Sequence, residues 1–258
     1  MNDTEFICLG SSSAGNCYAF RYNGQVVLVE VGFDIKTIYK KLLENNISVD
    51  DIVAVVATHK HSDHSRSLEY FATHGVRCFA PADCFGSLNL SEYPNITPVA
   101  DGSNMKVCDW LKARAFSVCH DPDVIALGYI FFNTESDESI LFINDTRCFE
   151  FPFTQVRFDY IFVECNHIRK QLEAILQRAL DNGKSGEAFK YRRQAECHLS
   201  LAGCKKLLSL ITTLKGYTKG IFLMHLSREC CNDEVVKLEI KETFGVPTFV
   251  CHKDGGIM

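Results

Sequence analysis

Four side chains of the kinds that bind metals fall within six residues of the chain, directly after an apolar run. The run, residues 52–57 (Ile-Val-Ala-Val-Val-Ala), is typical of a buried strand. It leads into the segment 58–64, which contributes His59, His61, Asp63 and His64. Imidazole and carboxylate groups at this spacing have little structural use, so the segment predicts two adjacent metal ions at the end of a strand.

Ligand-type residues also follow four other apolar runs: His120 after 115–119, Asp145 after 140–144, Glu164 after 160–163 and His225 after 221–224. One such residue would carry little weight, but five strand ends of this kind form a pattern. Strands that end in His, Asp and Glu build a site along one edge of a sheet, on loops that a rigid scaffold holds in place. The pattern therefore predicts a single site that draws on most of the chain.

Composition limits the alternatives. The 258 residues are 47% hydrophobic and 23% charged, without a low-complexity tract or an evident linker, so one domain over residues 1–258 is expected. The net charge of −5 excludes a surface that is basic throughout but leaves room for a local basic groove. The acidic N-terminus does not resemble a signal peptide, and no apolar stretch approaches the roughly 20 residues of a membrane span.

The 13 cysteines include no Cys-x-x-Cys pair, which argues against a thiolate zinc site. An odd number of thiols, set mostly within apolar runs, fits buried side chains in a reducing compartment. We therefore expect a cytoplasmic protein with no membrane partner, and an oligomer stays open.

Periodicity predicts mixed helices and strands. Strands are expected at 5–9, 17–21, 26–30, 52–57 and 220–224, with a strand-rich region over 105–163. Helices are expected after the N-cap Asp34, across 68–71, at 168–181, at 200–215 (Ser200 as cap, Gly216 as stop) and near 233–243.

The order of the ligand-type residues resembles the metallo-β-lactamase superfamily, in which His-x-His-x-Asp-His is followed by a distant His, a bridging Asp and a C-terminal His. The resemblance implies an α/β (α+β) fold, a four-layer αββα sandwich with a two-metal site on its rim. The implied ligands form two sets and a bridge: His59, His61 and His120 for the first metal, Asp63, His64 and His225 for the second, and Asp145 for both.

Imidazoles and carboxylates suit Zn²⁺ and, less selectively, Mn²⁺. Two such ions about 3.5–4 Å apart can share a hydroxide, bring its pKa towards about 7 and stabilise the attacking and leaving oxygens. Asp63, within the signature, is counted as catalytic as well as a ligand. An Asp at position 145, where the β-lactam-hydrolysing members usually have a thiolate, argues against that activity.

Two further segments resemble the phosphodiesterases of this superfamily. Residues 197–200 (Cys-His-Leu-Ser) are similar to the His-Ser-Thr motif of tRNase Z and the Gly-His-Leu-Ser motif of the YycJ/WalJ-like exonucleases. By resemblance, His198 would lie near the scissile phosphate and Glu164 would tune it. We therefore expect His198, oriented by Glu164, to protonate the leaving oxygen or to steady charge on the phosphoryl group.

Substrate contacts are expected from two segments. Residues 10–17 (Gly-Ser-Ser-Ser-Ala-Gly-Asn-Cys) resemble a loop of the YycJ branch, and Ser12 and Asn16 could form an anion nest near the metals. Residues 184–193 carry a net charge of +3. There Lys190, Arg192 and Arg193 could pair phosphates while Phe189 and Tyr191 stack bases. The alternative for this segment is a solvated loop between two helices.

The chain departs from the family pattern at a few positions. Residues 29–32 read Val-Glu-Val-Gly where the family usually has Ile-Asp-x-Gly, so the longer Glu30 could shift a metal ligand. Cys197 stands where a Gly is expected, and Leu201 where an Asn is expected. These changes bear on the substrate more than on the metals.

Together these features predict a metal-dependent phosphodiesterase, a nuclease or exonuclease acting on DNA or RNA ends through a hydroxide that two metals activate. Asp145 and His198 are 53 positions apart, which is too few for the extra domain of RNase J-type enzymes. One alternative is hydrolysis of a cyclic nucleotide or another small phosphodiester, which the net acidity favours. Others are a thioester or lactone hydrolase, for which His198 and Glu164 should be dispensable, and a binding module that has lost turnover.

Overall fold

The computed structural model describes residues 3–86, 88–148, 157–211 and 217–257. Within these ranges the strands are β1 Glu5–Ser12, β2 Gly15–Tyr22, β3 Gln25–Val29, β4 Ile52–Val56, β5 Arg77–Ala80, β6 Ile96–Pro98, β7 Asn104–Lys106, β8 Leu111–Ser117, β9 Leu127–Asn133, β10 Glu138–Ile143, β11 Tyr160–Glu164, β12 Gly220–Met224, β13 Thr248–Val250 and β14 Gly256–Ile257. The α-helices are α1 Ile35–Glu44, α2 Ser62–Ser65, α3 Leu68–Thr73, α4 Arg169–Asp181, α5 Ser185–Cys197, α6 Leu201–Leu210 and α7 Asp233–Phe244.

The strands form two sheets. The first has the order β14-β1-β2-β3-β4-β5-β6 and the second the order β13-β12-β11-β10-β9-β8-β7. In the second sheet β10, β11, β12 and β13 run parallel, so their carboxyl ends meet at one edge. β3, β4 and β5 of the first sheet are parallel in the same way. Residues that follow these strands are therefore brought together from distant parts of the sequence.

Three apolar layers hold the sandwich together. The central layer lies between the sheets and includes Phe20, Tyr18, Phe142 and Phe162, all fully buried. A second layer packs α1 and α3 on the outer face of the first sheet, and a third packs α6 and α7 on the outer face of the second. The order helix, sheet, sheet, helix confirms the predicted αββα architecture.

Local sequence explains where the helices begin and end. Asp34 caps α1 by accepting a hydrogen bond from Thr37 N, and Ser200 caps α6 by accepting one from Gly203 N. Gly245 ends α7 in the left-handed conformation (φ 67°). None of the helices in the described ranges is long and apolar enough to cross a bilayer.

The main difference from the sequence-based expectation is α5. Residues 184–193 could have been a loop, but residues 185–197 form a helix that packs against α4 through Ala188 and Tyr191. Only these two α5 residues are fully buried, so the apolar periodicity is too weak to predict the helix. The helix expected at 200–215 runs over 201–210, and the rest of that prediction, including Gly216, lies largely outside the described residues.

Candidate metal centre

The first cluster of possible metal ligands consists of three imidazoles from two different loops. His59 and His61 follow β4, and His120 follows β8. His61 Nδ1 lies 3.1 Å from both His59 Nε2 and His120 Nε2. His120 Nδ1 faces the Cys197 carbonyl oxygen at 3.3 Å, which leaves Nε2 directed at the cluster. The ring nitrogens converge on one point, as the ligands of a single ion do.

The second cluster combines two carboxylates with two imidazoles. Asp63 and His64 come from α2, Asp145 lies two residues after β10, and His225 directly follows β12. His64 Nε2 is 3.1 Å from Asp145 Oδ2, and His225 Nε2 is 3.6 Å from Asp63 Oδ2. The same Asp145 Oδ2 is 4.0 Å from His120 Nε2 of the first cluster. Asp145 therefore lies between the two clusters, within reach of both.

The donor atoms of these clusters fit divalent cations. Among the described residues, Asp145 Oδ1 and His225 Nε2 are buried with no hydrogen-bond partner, and such atoms are rare unless they have a ligand. Burial holds the pKa of His59 well below its usual value and lowers the pKa of His61 and His120, so these imidazoles are neutral and able to coordinate.

Charge in the second cluster points the same way. Burial alone would lower the pKa of His64, but the carboxylates of Asp145, Glu30 and Asp63 raise it well above its usual value. Burial would also lower the pKa of His225, but nearby carboxylates, led by Asp145, outweigh burial and raise it to about 10. Buried carboxylates thus demand positive charge at this position, and a divalent cation can supply it in place of the imidazole protons.

Glu30 holds one of the clustered imidazoles in place. Its Oε1 lies 3.2 Å from His64 Nδ1, and its Oε2 accepts a hydrogen bond from Thr58 N at 3.2 Å. The Thr58 hydroxyl also donates to Oε1 and lies 2.9 Å from His59 Nδ1. The longer side chain, which raised the question of a shifted ligand, therefore reaches His64 and orients its Nε2 towards Asp145.

The backbone around the clusters is unusual at three non-glycine residues. Glu30, Asp145 and His225 have φ of 64°, 46° and 55°, in the left-handed region. Each such conformation costs about 1 kcal/mol for a residue with a Cβ. Hydrogen bonds to neighbouring elements hold this geometry, such as that from His225 N to Ser11 Oγ at 2.8 Å.

The segment 58–64, which carries the His-x-His-x-Asp-His pattern, is here called the signature loop. Close packing beneath it explains why the segment 29–32 contains a glycine. A Cβ on Gly32 would lie 1.8 Å from the Asp63 carbonyl oxygen, so no other residue fits there without moving the loop. Asn16 stabilises the same loop, because its Nδ2 donates to the Asp63 and Ser12 carbonyl oxygens at 3.1 Å. Asn16 is fully buried, so its side chain belongs to the support of the loop and a substrate contact through it is not compatible with its position.

His198 and Glu164 form a hydrogen-bonded pair beside the second cluster. His198 Nδ1 lies 2.6 Å from Glu164 Oε1. Glu164 Oε2 accepts hydrogen bonds from Thr146 N at 2.8 Å and Leu199 N at 3.0 Å. Burial opposes charge on His198, but the carboxylates of Glu164 and Asp145 raise its pKa. The pair is ordered by backbone donors on one side, and His198 lines a cavity on the other.

The cavity has a volume of about 780 Å³ and opens over both clusters. Its walls include Ser12 and the α5 residues Lys190 and Arg193, whose contacts with a substrate stay predictions. Arg192 is exposed on α5 but does not line the cavity, so its contact with a substrate stays a prediction.

Two wall cations were not predicted: Arg228, which follows β12, and Lys253, which follows β13. Single cations in loops carry no spacing signal, and only the fold brings them to the cavity. His167, which precedes α4, is buried, and burial lowers its pKa to about 4.

Comparisons with known proteins agree with this geometry. The model of the metallo-beta-lactamase superfamily matches residues 12–76. The exodeoxyribonuclease WalJ of Streptococcus pneumoniae is 26% identical over 237 residues, which cover 87% of this chain and 82% of that protein. The metallo-beta-lactamase fold protein YhfI of Bacillus subtilis is 13% identical with a TM-score of 0.72 and full coverage of both chains. The short form of human tRNase Z is 13% identical with a TM-score of 0.63 and 98% coverage of each chain.

The chain therefore has the metallo-β-lactamase fold, and its resemblance to hydrolases of this fold, including the WalJ-like branch, is supported. The relatives and the fold point to a metal-dependent hydrolase. The His and Asp clusters described above could hold its metal ions.

Proposed function

We propose that the protein is a phosphodiesterase that cleaves nucleic acid ends with two divalent cations. His59, His61 and His120 would hold one ion, Asp63, His64 and His225 the other, and Asp145 both. Zn²⁺ suits this set of imidazoles and carboxylates best, and Mn²⁺ is the alternative. When bound, the cations supply Lewis-acid activation of water and of the phosphoryl oxygens.

The observation that carries the proposal is the pair of His198 and Glu164 next to the ligand clusters. Glu164 occupies Nδ1, so Nε2 is the ring nitrogen that His198 can present to a substrate in the cavity. A raised pKa favours the protonated ring, whose Nε2–H donates to a phosphoryl oxygen or to the leaving oxygen. A thioester or lactone has a single carbonyl oxygen and no further non-bridging oxygen for this donor to contact.

The relatives favour nucleic acid as the substrate. One is named an exodeoxyribonuclease and another a tRNase, so DNA and RNA ends both stay candidates for this chain. The wall cations Lys190, Arg193, Arg228 and Lys253 lie where the phosphates of a strand would pass.

A small phosphodiester, such as a cyclic nucleotide, is the second candidate. It is favoured by the ion pairs of the wall, because Lys190 lies 2.8 Å from Glu229 and Arg193 lies 3.1 Å from Asp121. These acids reduce the positive potential that a polymer would meet. The net charge of −5 acts in the same direction.

The cysteines bear on where the protein works. None of the 13, all of which lie in the described ranges, forms a disulfide, and most are buried, which is typical of proteins in a reducing compartment. We therefore propose a cytoplasmic location.

The test compares the wild type with His198→Ala on a panel of phosphodiesters in Zn²⁺ or Mn²⁺. The panel contains bis-p-nitrophenyl phosphate, single- and double-stranded DNA, RNA and cyclic mononucleotides. We expect the wild type to hydrolyse phosphodiesters and His198→Ala to lower kcat by about 100-fold or more, with the metal content unchanged. His74→Ala, at an exposed histidine on α3's C-terminus, is the matched control and should behave as the wild type.

Two results would contradict the proposal. Absence of hydrolysis of every phosphodiester by metal-loaded wild type would remove the function itself. Full turnover by His198→Ala with both ions in place would remove the role of His198 and favour another class of hydrolysis.

A further inference from the structure

We propose that Phe189 is a stacking platform for an unpaired base, so that the substrate is a single strand of several nucleotides whose scissile phosphate lies at His198. The inference rests on the proposed phosphodiesterase activity and narrows its substrate. In this inference α5, which packs on α4, makes the enzyme prefer polymers to mononucleotides as substrates.

Phe189 is an apolar side chain that α5 leaves exposed to solvent. Its side chain is 70% exposed, whereas Ala188 and Tyr191 on the other face of α5 are buried against α4. A single exposed aromatic is unremarkable on a protein surface. This one, however, lines the cavity above the metal clusters, so it offers an aromatic face inside the space that a substrate would enter.

The spacing on α5 makes one face of the helix a wall of the cavity. Phe189, Lys190, Arg193 and Gln194 all line it, and positions i, i+1, i+4 and i+5 share one side of a helix. Arg192 falls outside this set and is not a wall residue. The helix therefore presents an aromatic ring and two cations to the same space.

The distance along α5 sets the size of the substrate. Eight residues separate Phe189 from Cys197, which directly precedes His198, and at 1.5 Å per residue this is about 12 Å. A stacked strand advances about 3.4 Å per nucleotide, so a base on Phe189 lies roughly three to four nucleotides from the phosphate at His198. We therefore expect a mononucleotide held at His198 to fall short of the ring.

The positively charged wall residues alone do not bind a strand as readily as an exposed aromatic ring does. Lys190 and Arg193 pair with Glu229 and Asp121, and Lys253 lies 2.9 Å from Asp254. A phosphate must displace these carboxylates before it gains the cation, whereas a base stacks on an exposed ring without displacing any side chain. Stacking is also indifferent to base identity, as suits an enzyme that digests ends of any sequence.

The experiment measures kcat/KM for oligonucleotides of two to eight nucleotides, in DNA and RNA versions. For the wild type we expect kcat/KM to rise up to about four or five nucleotides and then to level off. Phe189→Ala should lose between about five- and 100-fold on the octamer, and the loss on the octamer should exceed that on the dinucleotide at least fivefold. Phe189→Trp should restore the octamer, and Phe189→Leu, similar in apolar bulk but without a ring, should not.

Two controls separate this inference from its premises. Leu43→Ala truncates an equally exposed apolar residue on α1 and should leave the length profile intact. Fluorescence anisotropy measures binding of a labelled octamer and reports on Phe189 even if no phosphodiester is hydrolysed. Failure of the proposed function can therefore be distinguished from failure of the stacking inference. Equal losses by Phe189→Ala at all lengths, or an octamer as good for Phe189→Leu as for the wild type, would overturn the inference.

Discussion

Strand β10 has a buried carboxylate near each of its ends, and only one of them is completed by donors of the protein. At the start, Glu138 accepts hydrogen bonds from Thr4 N, Thr4 Oγ1, Ser136 Oγ and Lys219 Nζ, at 2.7–3.0 Å. Two residues beyond the other end, Asp145 is buried as deeply, but its Oδ1 has no hydrogen-bond partner in the described part of the chain. Glu138 is hydrogen-bonded within the protein, whereas Asp145 keeps one oxygen available to a ligand.

The comparison shows that burial of a charge does not by itself mark a functional site. Burial raises the free energy of any carboxylate, and the protein must provide compensating donors or positive charge. At Glu138 that compensation comes from fixed neighbours in the strands and from Lys219. At Asp145 it comes from imidazoles that are themselves potential ligands, so an added cation can take over.

The largest expected effect separates the two carboxylates by metal binding. Asp145→Asn should lose at least one bound ion and more than about 100-fold of the phosphodiesterase activity, because the bridging charge is gone. Added Zn²⁺ should raise the Tm of the wild type and fail to raise that of Asp145→Asn, since only a bound ion stabilises the folded state. Metal analysis and thermal unfolding with and without Zn²⁺ measure both. A normal Zn²⁺ shift in Asp145→Asn would place the metals elsewhere.

A smaller effect is expected at Glu30, which touches a ligand without being one. Glu30→Gln should weaken metal binding by about 10- to 100-fold, because the amide orients His64 less firmly than a carboxylate does. Competition with a chromophoric chelator measures the affinity. Glu30→Asp, which keeps the charge on a shorter side chain, serves as the matched variant and should lose less. An unchanged affinity in Glu30→Gln would show that His64 does not depend on this hydrogen bond.

The smallest effect concerns the closed end of β10 and involves no metal. Glu138→Gln should lower the free energy of unfolding by about 2 kcal/mol, because the amide nitrogen cannot accept from Thr4 or Ser136. Metal content and activity should stay at the wild-type level. Denaturant unfolding provides the measurement, and a loss of metal in this variant would erase the contrast between the two ends.

The pH dependence of the same variant checks its cause. Burial would raise the pKa of Glu138, but hydrogen bonds from Thr4, Ser136 and Lys219 hold it below its usual value of 4.5. A lowered pKa in the folded state gives stability that is present above about pH 4.5 and is lost as the pH falls through the folded value. The difference between wild type and Glu138→Gln should therefore shrink on acidification. A difference that stays constant down to about pH 3 would indicate packing, not charge.

Much of the site could be predicted because it depends on strand ends. Glu164 ends β11 and His225 directly follows β12, as the apolar runs indicated, and parallel pairing then carries both to one edge. The helix α7 and the caps Asp34 and Ser200 were predicted for similarly local reasons. The prediction of a single domain and the individual roles of the site residues stay predictions.

Other parts could not be predicted because they depend on tertiary contacts. The helix α5 is stabilised by packing on α4 more than by its own periodicity, so its sequence also fitted a loop. Asn16 could have faced a substrate or the signature loop, and only the fold shows that it is buried beneath the loop. Arg192 and Arg193 look alike in sequence, and only the helix determines which of them reaches the cavity.

The left-handed backbone at Glu30, Asp145 and His225 has a consequence for engineering. A campaign that optimises thermostability alone would replace such residues early, since Gly or Asn adopts the same conformation with less strain. The hardier variants it selected would have lost the groups that are here expected to hold and orient the ions. These variants would tolerate heat better but would have lost their activity. A screen that monitors folding alone would not detect that loss.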